Sequence, residues 1–163
     1  MTYLPAERYR LVEDTMPIAC VDFFPQQPDT RAEVGLILRD SPFGKVWCHL
    51  GGRILRGESI RQALLRHAKD TLDVTLRLPR DPQPLDVYQW FPPDDTPADS
   101  DDHGVDPRKH AIGLSFIIEL EGAPEPRNEA DDFAWFPSED LPAPLWPGTE
   151  PLLRRLLTRH SAT

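Results

Sequence analysis

Apolar residues along this chain gather in short runs, and the runs predict a domain built mainly of strands. Four runs are almost continuously apolar, which indicates strands buried on one or both faces. They lie at 18–24, 34–39, 46–50 and 110–120. Three shorter or alternating runs predict further strands, at 74–78, 85–91 and 132–136.

Two segments show helical features. Ser59 is a suitable N-cap and Gln62 follows three residues later, a capping box that predicts the start of a helix. The apolar stripe of this helix consists of Ile60, Ala63, Leu64, Ala68 and Thr71, with His67 inside it. Residues 149–158 predict a second helix, and residues 3–14 predict a short helix or an irregular arm. Strands with two helices predict a mixed α+β sandwich.

A long acidic connection, 92–109, has no periodicity. A loop of this length is a lid, a binding loop or a disordered segment, and the sequence leaves all three open. A second long loop is expected at 121–131.

Composition narrows the class of protein. A chain of 163 residues predicts one domain over 1–163. The net charge of −9 argues against a nucleic-acid partner, because no basic stripe offsets it. No apolar window approaches the length of a transmembrane helix and the N-terminus lacks a signal-peptide core, so we expect a cytoplasmic protein without a membrane partner. Cys20 and Cys48 lie in apolar runs and are expected to be buried thiols.

The strongest motif follows the third apolar run. Gly51 and Gly52 form a turn, Glu58 stands six residues after Gly52, and Arg66 stands eight residues after Glu58. This G-x5-E-x7-R spacing resembles the first two thirds of a Nudix box. The last third of that box reads R-E-U-x-E-E-x-G-U, with U aliphatic, whereas residues 66–74 here read R-H-A-K-D-T-L-D-V. The frame of the motif is present, and most of its acidic residues are replaced.

The order of elements extends the resemblance to the Nudix superfamily over about residues 7–157, and the likeness is greatest to the GDP-mannose mannosyl hydrolases. The segment 132–142, D-F-A-W-F-P-S-E-D-L-P, is similar to the one before the last helix of that superfamily. The resemblance implies a Nudix fold, with a mixed sheet sandwiched between α-helices, and a homodimer. It also implies hydrolysis of a nucleoside diphosphate linked to another group, such as a sugar.

The resemblance further implies a divalent metal on the diphosphate, held by the carbonyl of Gly51, by residue 71 of the helix and by residue 129. The general base would lie at residue 130. Thr71 and Ala130 depart from this pattern, since threonine is a weak ligand for Mg²⁺ and alanine cannot accept a proton. Glu129 could take either role, as metal ligand or as base.

An altered metal site is the alternative that these departures leave. Gly51, Asp70 and Glu129, with His67, would hold Mg²⁺ or, because of the imidazole, Mn²⁺. His67 could instead be a histidine hydrogen-bonded at the edge of the core. Asp70 could instead pair on the helix surface with Arg66 or Lys69.

The phosphate-binding side of the motif is better preserved. Arg39, Arg53 and Arg66 resemble phosphate-contacting or site-bracing arginines, and a guanidinium fork suits phosphate oxygens. Glu58 and Arg66 are expected to pair and to brace the loop against the helix.

Polar and aromatic residues outside the motif add further candidates. Asp22 interrupts the first apolar run, and a buried acid needs a partner, either in the protein or in a ligand. Trp47, Tyr88 and Trp90 are core residues or stack on a base or sugar. His103 and His110 are spare candidates for acid–base work.

The leading hypothesis is a hydrolase of a nucleoside diphosphate sugar or a related derivative. The alternatives are a Nudix-fold module that binds such a ligand without turnover, and a structural or regulatory dimerisation domain. The candidate catalytic residues are Glu129, Arg53, Arg66 and Glu58. The candidate substrate-binding residues are Asp22, Arg39, Arg53, Tyr88 and Trp90, and the candidate metal ligands are Gly51, His67, Asp70 and Glu129.

Overall fold

The computed structural model of the protein describes residues 3–99 and 102–162. Within these residues it contains nine strands, three α-helices and one 3₁₀ turn. The strands are β1 (Ile18–Gln27), β2 (Thr30–Ser41), β3 (Gly44–Cys48), β4 (Leu50–Arg53), β5 (Thr75–Leu76), β6 (Asp86–Phe91), β7 (Gly104–Val105), β8 (Ala111–Glu121) and β9 (Asp132–Pro137). The helices are α1 (Ala6–Thr15), α2 (Ile60–Leu72) and α3 (Thr149–His160), and the 3₁₀ turn spans Pro93–Asp95.

Strand β1 lies at the centre of the sheet, which runs in the order β3-β2-β1-β8-β6-β7. It pairs in parallel with β8 along its length, and antiparallel with β4 on the other side. Beyond β4, at Gln26, it pairs with β2 instead. Residues 20–26 are all buried, because a strand paired on both edges is here covered on both faces as well. This explains the unbroken apolar run in the sequence.

Helix α2 packs on β1, β4 and β5, and helix α3 packs on β6 and β8. The predicted α+β fold, a mixed sheet sandwiched between helices, is confirmed. The buried face of α2 is the stripe that the sequence predicts, with Leu72 added and Ile60 only partly buried. The capping box of Ser59 and Gln62 is also confirmed. Among the described residues, no helix is long and apolar enough to cross a membrane.

Of the two alternatives predicted for the N-terminal segment, the helix is confirmed. Helix α1 buries no residue completely and packs against the core through Tyr9 and Val12. The structure differs from the predicted elements in two other places. The predicted strand at 46–50 is two strands, separated at His49. The acidic loop contains the short strand β7, which is too short to show any periodicity, while residues 100 and 101 of that loop lie outside the described residues.

Gly51 is required by a close approach of two strands. It faces Asp22 across the β1–β4 pair and has φ of 140°, and an added Cβ would lie 2.0 Å from the carbonyl oxygen of Val21. The next residue, Gly52, leaves room for the ring of His67, which would lie 2.8 Å from a Cβ at that position.

The loop between β4 and α2 is held by the ion pair that the motif predicts. Arg66 donates to both oxygens of Glu58, at 2.7 and 3.0 Å, and it also donates to the carbonyl of Arg53 at 2.9 Å. The second oxygen of Glu58 accepts from the backbone N–H of Leu55 at 2.9 Å. The carboxylate is fully buried, so the pair fixes the loop to the helix from inside.

His67 lies beside this pair, at the edge of the core. Its Nε2 is 3.1 Å from the carbonyl oxygen of Arg53, so this nitrogen carries the proton and donates it. Burial lowers the pKa of the ring, because the charged imidazolium would lose its hydration. The expectation of a hydrogen-bonded histidine at the core edge is confirmed.

Replacing Glu58 with glutamine should lower the free energy of unfolding by about 3 kcal/mol, because Arg66 keeps its buried charge and loses the counter-charge. Urea denaturation at pH 7 measures the change. Glu150→Gln is the matched control, since Glu150 pairs with Arg154 on the exposed face of α3, where water screens the pair, and its replacement should change the free energy of unfolding little. Equal losses in the two variants would contradict a bracing role for Glu58.

Replacing His67 with asparagine should weaken the dependence of stability on pH. An unfolded histidine binds a proton below about pH 6.5, whereas folded His67 binds one only at a lower pH, so the free energy of unfolding falls as pH decreases below that value. Urea denaturation at pH 7.5 and pH 5.0 should show a smaller fall for His67→Asn than for the wild type. Burial also lowers the pKa of His110, but both proteins share that contribution. An identical fall in both would show that the neutral ring of His67 is not selected by folding.

Candidate functional site

A cavity of about 160 Å³, which we call the Asp22 cavity, opens against β1 and the Gly51–Gly52 turn. Six charged side chains line it, three acids and three bases: Asp22, Asp106, Glu129, Arg39, Arg108 and Lys109. His49, Trp90, Trp146 and the two cysteines complete its wall. Charged groups that the chain spreads over more than 100 residues therefore meet at one end of the sheet.

Asp22 is buried in the middle of β1, opposite Gly51, and its partners are in the protein. The indole nitrogen of Trp90 donates to its Oδ2 at 3.0 Å, and Nε2 of His49 lies 3.4 Å from its Oδ1. Gly113 on β8 makes room for the carboxylate, since an added Cβ would lie 2.0 Å from Oδ2. The expectation that this acid needs a partner is confirmed, and the carboxylate still lines the cavity.

His49 is a site residue that the sequence pattern did not reveal. It separates β3 from β4 along the chain, and its ring stacks on Trp90 with centroids 5.1 Å apart. Its Nδ1 is buried without a hydrogen-bond partner among the described residues. The available signal was a polar residue directly before Leu50-Gly51-Gly52, at the end of an apolar run.

Two arginines flank Trp146 at the mouth of the cavity. The guanidinium carbons of Arg39 and Arg108 lie 5.7 and 5.1 Å from its ring centroid, within range of cation–π attraction. Its indole nitrogen donates to the carbonyl of Val105 at 2.7 Å, which fixes the ring. The sequence did not point to Trp146, because this residue lies in a proline-rich connection that has no periodic pattern to indicate where its side chain lies.

The end of the acidic loop supplies the other two cations. Arg108 pairs with Asp106 through two bonds of 3.0 Å, and this carboxylate holds the pKa of the guanidinium above its usual range. Lys109 lines the cavity, and its ammonium forms no ion pair with any described residue. The sequence signal for these residues was the basic pair Arg108-Lys109 at the end of the acidic loop, directly before an apolar strand. Part of the loop is therefore a wall of the cavity.

A second cavity, of about 260 Å³, lies under helix α1 and is called the α1 cavity here. Tyr3 and Tyr9 line it, and the guanidinium carbon of Arg53 lies 5.2 and 3.8 Å from their ring centroids. Arg53 is thus placed beside α1 and does not line the Asp22 cavity. The hydroxyl of Tyr9 is buried and has no hydrogen-bond partner among the described residues.

Neighbouring residues of β1 and β4 line different cavities. Gly52 lines the Asp22 cavity and the next residue, Arg53, lines the α1 cavity. On β1, Cys20 lines the Asp22 cavity and Ala19 lines the α1 cavity. Because successive residues of a strand point to opposite faces, the two cavities open on opposite sides of this part of the sheet.

The candidate metal ligands converge only in part. Gly51 and Glu129 line the Asp22 cavity, whereas His67 is turned to the carbonyl of Arg53, and Asp70 is exposed and lines neither cavity. Thr71 is buried, and its hydroxyl faces Glu129 at 3.5 Å. Among the described residues, no group of three His, Cys, Asp or Glu side chains is placed to hold a metal ion. Of the candidate ligands, only the carbonyl of Gly51 and the carboxylate of Glu129 are oxygen donors at the cavity, and Arg39 already lies 3.0 Å from Glu129, so this set does not fit Mg²⁺.

Several candidates from the sequence lie away from both cavities. Arg66 and Glu58 are engaged with each other in the brace, and Tyr88 is buried against α3, where its hydroxyl donates to Asp102 at 3.2 Å. The suggested ion pair of Asp70 is not found, since Lys69 pairs with Asp73 and Arg66 pairs with Glu58.

The remaining histidine, cysteine and tryptophan candidates are placed as follows. His110 stacks on Phe91 and His103 packs edge-on against the same ring. Trp47 packs edge-on against Phe136. Cys20 and Cys48 are free and buried, as expected, and burial raises the pKa of each thiol to about 12, so both thiols are protonated.

Comparison with solved structures places the fold. A structure described as a possible asymmetric diadenosine tetraphosphate hydrolase from Jonesia denitrificans is 29% identical, with a TM-score of 0.77 over 90% of this chain and 96% of that one. A MutT Nudix hydrolase from Burkholderia pseudomallei is 19% identical, with a TM-score of 0.66 over 86% and 98%. An ADP-ribose pyrophosphatase from Streptococcus suis is 18% identical, with a TM-score of 0.62 over 91% and 94%. The fold is therefore that of Nudix hydrolases, as the sequence predicted.

No curated protein matches the chain. One family model does match it, over residues 1–156, and this model is described as "Domain of unknown function (DUF4916)". The chain is therefore a Nudix-fold member of the DUF4916 family.

Proposed function

We propose that the protein binds a nucleoside diphosphate derivative and hydrolyses it. The observation that carries this proposal is the lining of the Asp22 cavity, which includes three cationic side chains and two tryptophans. Cations recognise phosphate oxygens, and flat aromatic rings recognise sugars and bases, so the lining suits a ligand that has both parts.

The phosphates would be held by Arg39, Arg108 and Lys109. Lys109 has no carboxylate partner among the described residues, so its ammonium can bind a phosphate without first breaking an ion pair. Arg39 is paired with Glu129 and Arg108 with Asp106, and a diphosphate would compete with these carboxylates for the guanidinium groups. Asp22 and His49 would meet hydroxyl groups deeper in the same cavity.

The base would occupy the α1 cavity. The Asp22 cavity is smaller than a typical ligand pocket, which holds roughly 300–1,000 Å³, so it suits the diphosphate and the group attached to it. The α1 cavity offers the rings of Tyr3 and Tyr9 for stacking, and Arg53 between them. A ligand that uses both cavities would bend around the end of β4 at Arg53.

Hydrolysis is assigned to Glu129 as the general base. Its two oxygens are held by Arg39 and Thr71, so a phosphate that draws Arg39 away would release one oxygen to accept a proton from water. The positive charges around the phosphates would stabilise the charge that develops as the phosphoanhydride bond breaks. The solved structures with this fold that are described as enzymes of nucleotide derivatives support the same class of ligand.

A second candidate function is ligand binding without turnover. The observation in its favour is that position 71 of the Nudix pattern is a threonine and that Glu129 is already paired with Arg39, while three cationic side chains line the cavity. The same cavities would then serve a binding module.

Ligand binding should separate into a phosphate part and a base part. Lys109→Gln should weaken binding of both GDP-mannose and inorganic pyrophosphate by about tenfold, because both lose a charge-assisted contact. Tyr9→Leu should weaken the binding of GDP-mannose by about tenfold and leave the binding of pyrophosphate unchanged, because only a nucleotide loses a stacking contact.

Isothermal titration calorimetry measures these affinities, and ADP-ribose and diadenosine tetraphosphate complete the ligand panel. Arg154→Gln on the exposed face of α3 is the control for a lost arginine outside the site. If Lys109→Gln leaves pyrophosphate binding unchanged, the phosphates do not bind in the Asp22 cavity.

Glu129→Gln should lower kcat by about 100-fold or more with the best ligand of that panel, because an amide cannot accept the proton. Its Kd should not rise and should fall if anything, since glutamine keeps the shape of the side chain and no longer competes with the phosphates for Arg39. Product formation followed by ³¹P NMR measures turnover and also shows which bond breaks. Unchanged turnover would remove Glu129 from the mechanism, and tight binding by a wild type without turnover would select the binding module.

A further inference from the structure

The positive charge beside Glu129 is already supplied by the chain. The Nη1 atom of Arg39 lies 3.0 Å from Oε2 of Glu129, and the two side chains are only 20% and 34% exposed. Arg39 comes from β2 and Glu129 from the loop before β9, two strands that pair side by side, so the sheet itself brings the ion pair together. In a half-buried position, water screens such a pair only partly.

The other oxygen of Glu129 faces a neutral group. Thr71 on α2 is buried, and its hydroxyl lies 3.5 Å from Oε1, where an acidic side chain would have repelled the carboxylate. The three residues Arg39, Thr71 and Glu129 therefore carry no net charge together. The corresponding arrangement with an acid at 71 would carry a net negative charge and would need an added cation.

The remaining acidic and imidazole groups near α2 are committed elsewhere. His67 has its Nε2 on the carbonyl of Arg53, on the far side of Gly52. The carbonyl of Asp70 accepts from the side chain of Asn128 at 2.5 Å, and the carboxylate of Asp70 is exposed. The other two acids of the cavity also have partners, since Asp22 accepts from Trp90 and Asp106 pairs with Arg108. A divalent ion at Glu129 would thus find each carboxylate of the cavity engaged, with a guanidinium already on Glu129 itself.

We propose that Arg39 takes the place of the divalent ion at this site, so that the protein binds the diphosphate of its ligand without a metal. Arg39 lines the cavity beside Lys109, and its guanidinium can turn from Glu129 to two phosphate oxygens. A cation attached to the chain is present at every metal concentration. The identity of the ligand rests on the proposed function above, but the absence of a metal requirement is tested independently of it.

The first test uses the ligand-free protein and MnCl₂, followed by electron paramagnetic resonance of free Mn²⁺. The wild type should leave Mn²⁺ free up to millimolar concentration. Stoichiometric binding that is lost in Glu129→Gln would overturn the proposal, whether or not any nucleotide binds.

The second test uses inorganic pyrophosphate as the probe, titrated by calorimetry in EDTA and again at a fixed concentration of free Mg²⁺. Affinity for pyrophosphate in EDTA should be within about threefold of that in Mg²⁺. In Arg39→Gln it should fall by about tenfold, and Mg²⁺ should not restore it, whereas Arg39→Lys should keep part of it because the charge remains. Arg154→Gln, on the exposed face of α3, is the matched control.

The two tests separate this proposal from the proposed function. A wild type that binds pyrophosphate only with Mg²⁺ overturns the role of Arg39 and leaves the phosphate site standing. A wild type that binds neither pyrophosphate nor nucleotides overturns the phosphate site, and the Mn²⁺ experiment then decides the metal question alone.

Discussion

The close pairing of β4 against β1 is the constraint on which the rest of this structure depends. The strands approach so closely at Gly51 that no side chain can stand there. This approach places Asp22 opposite the glycine turn, opens the Asp22 cavity above it and delivers Arg53 to the other side. It also fixes where the chain leaves the sheet, so that Glu58 and Arg66 can hold the following loop to α2. Two glycines thus determine both the frame of the site and its two cavities.

The residues that match the Nudix pattern and the residues that depart from it have different physical roles in this chain. Glu58, Arg66 and the glycines satisfy buried charge and backbone geometry, and the fold needs them whatever the protein does. The altered positions are His67, at the edge of the core, and Thr71, which is buried beside Glu129, and at both a neutral side chain is compatible with burial. A Nudix fold can therefore be kept while its metal-binding acids are replaced, which is why fold alone does not assign activity.

Charge is distributed in this acidic protein so that the cationic side chains meet where they can act. The net charge is −9, yet Arg39, Arg108 and Lys109 balance the three carboxylates of the Asp22 cavity. Arg53 and Arg56 line the other cavity, where no carboxylate is found among the described lining residues. Local convergence of guanidinium groups can bind an anion in an acidic protein, because the field at a cavity is set by its nearest charges. The overall charge then serves solubility and does not oppose the site.

The sequence by itself determined the elements and the frame: the buried run of β1, the capping box at Ser59, the glycine turn and the pair of Glu58 with Arg66. These features follow from the spacing of apolar residues, from backbone conformation and from the short separation of paired residues, all of which can be recognised in a short stretch of sequence. Only the tertiary structure decided the site. It turned Arg53 toward α1 and His67 toward a carbonyl, and it brought His49, Arg108, Lys109 and Trp146 to the Asp22 cavity. Side-chain direction and long-range convergence depend on how strands pair and helices pack, and no local pattern records them.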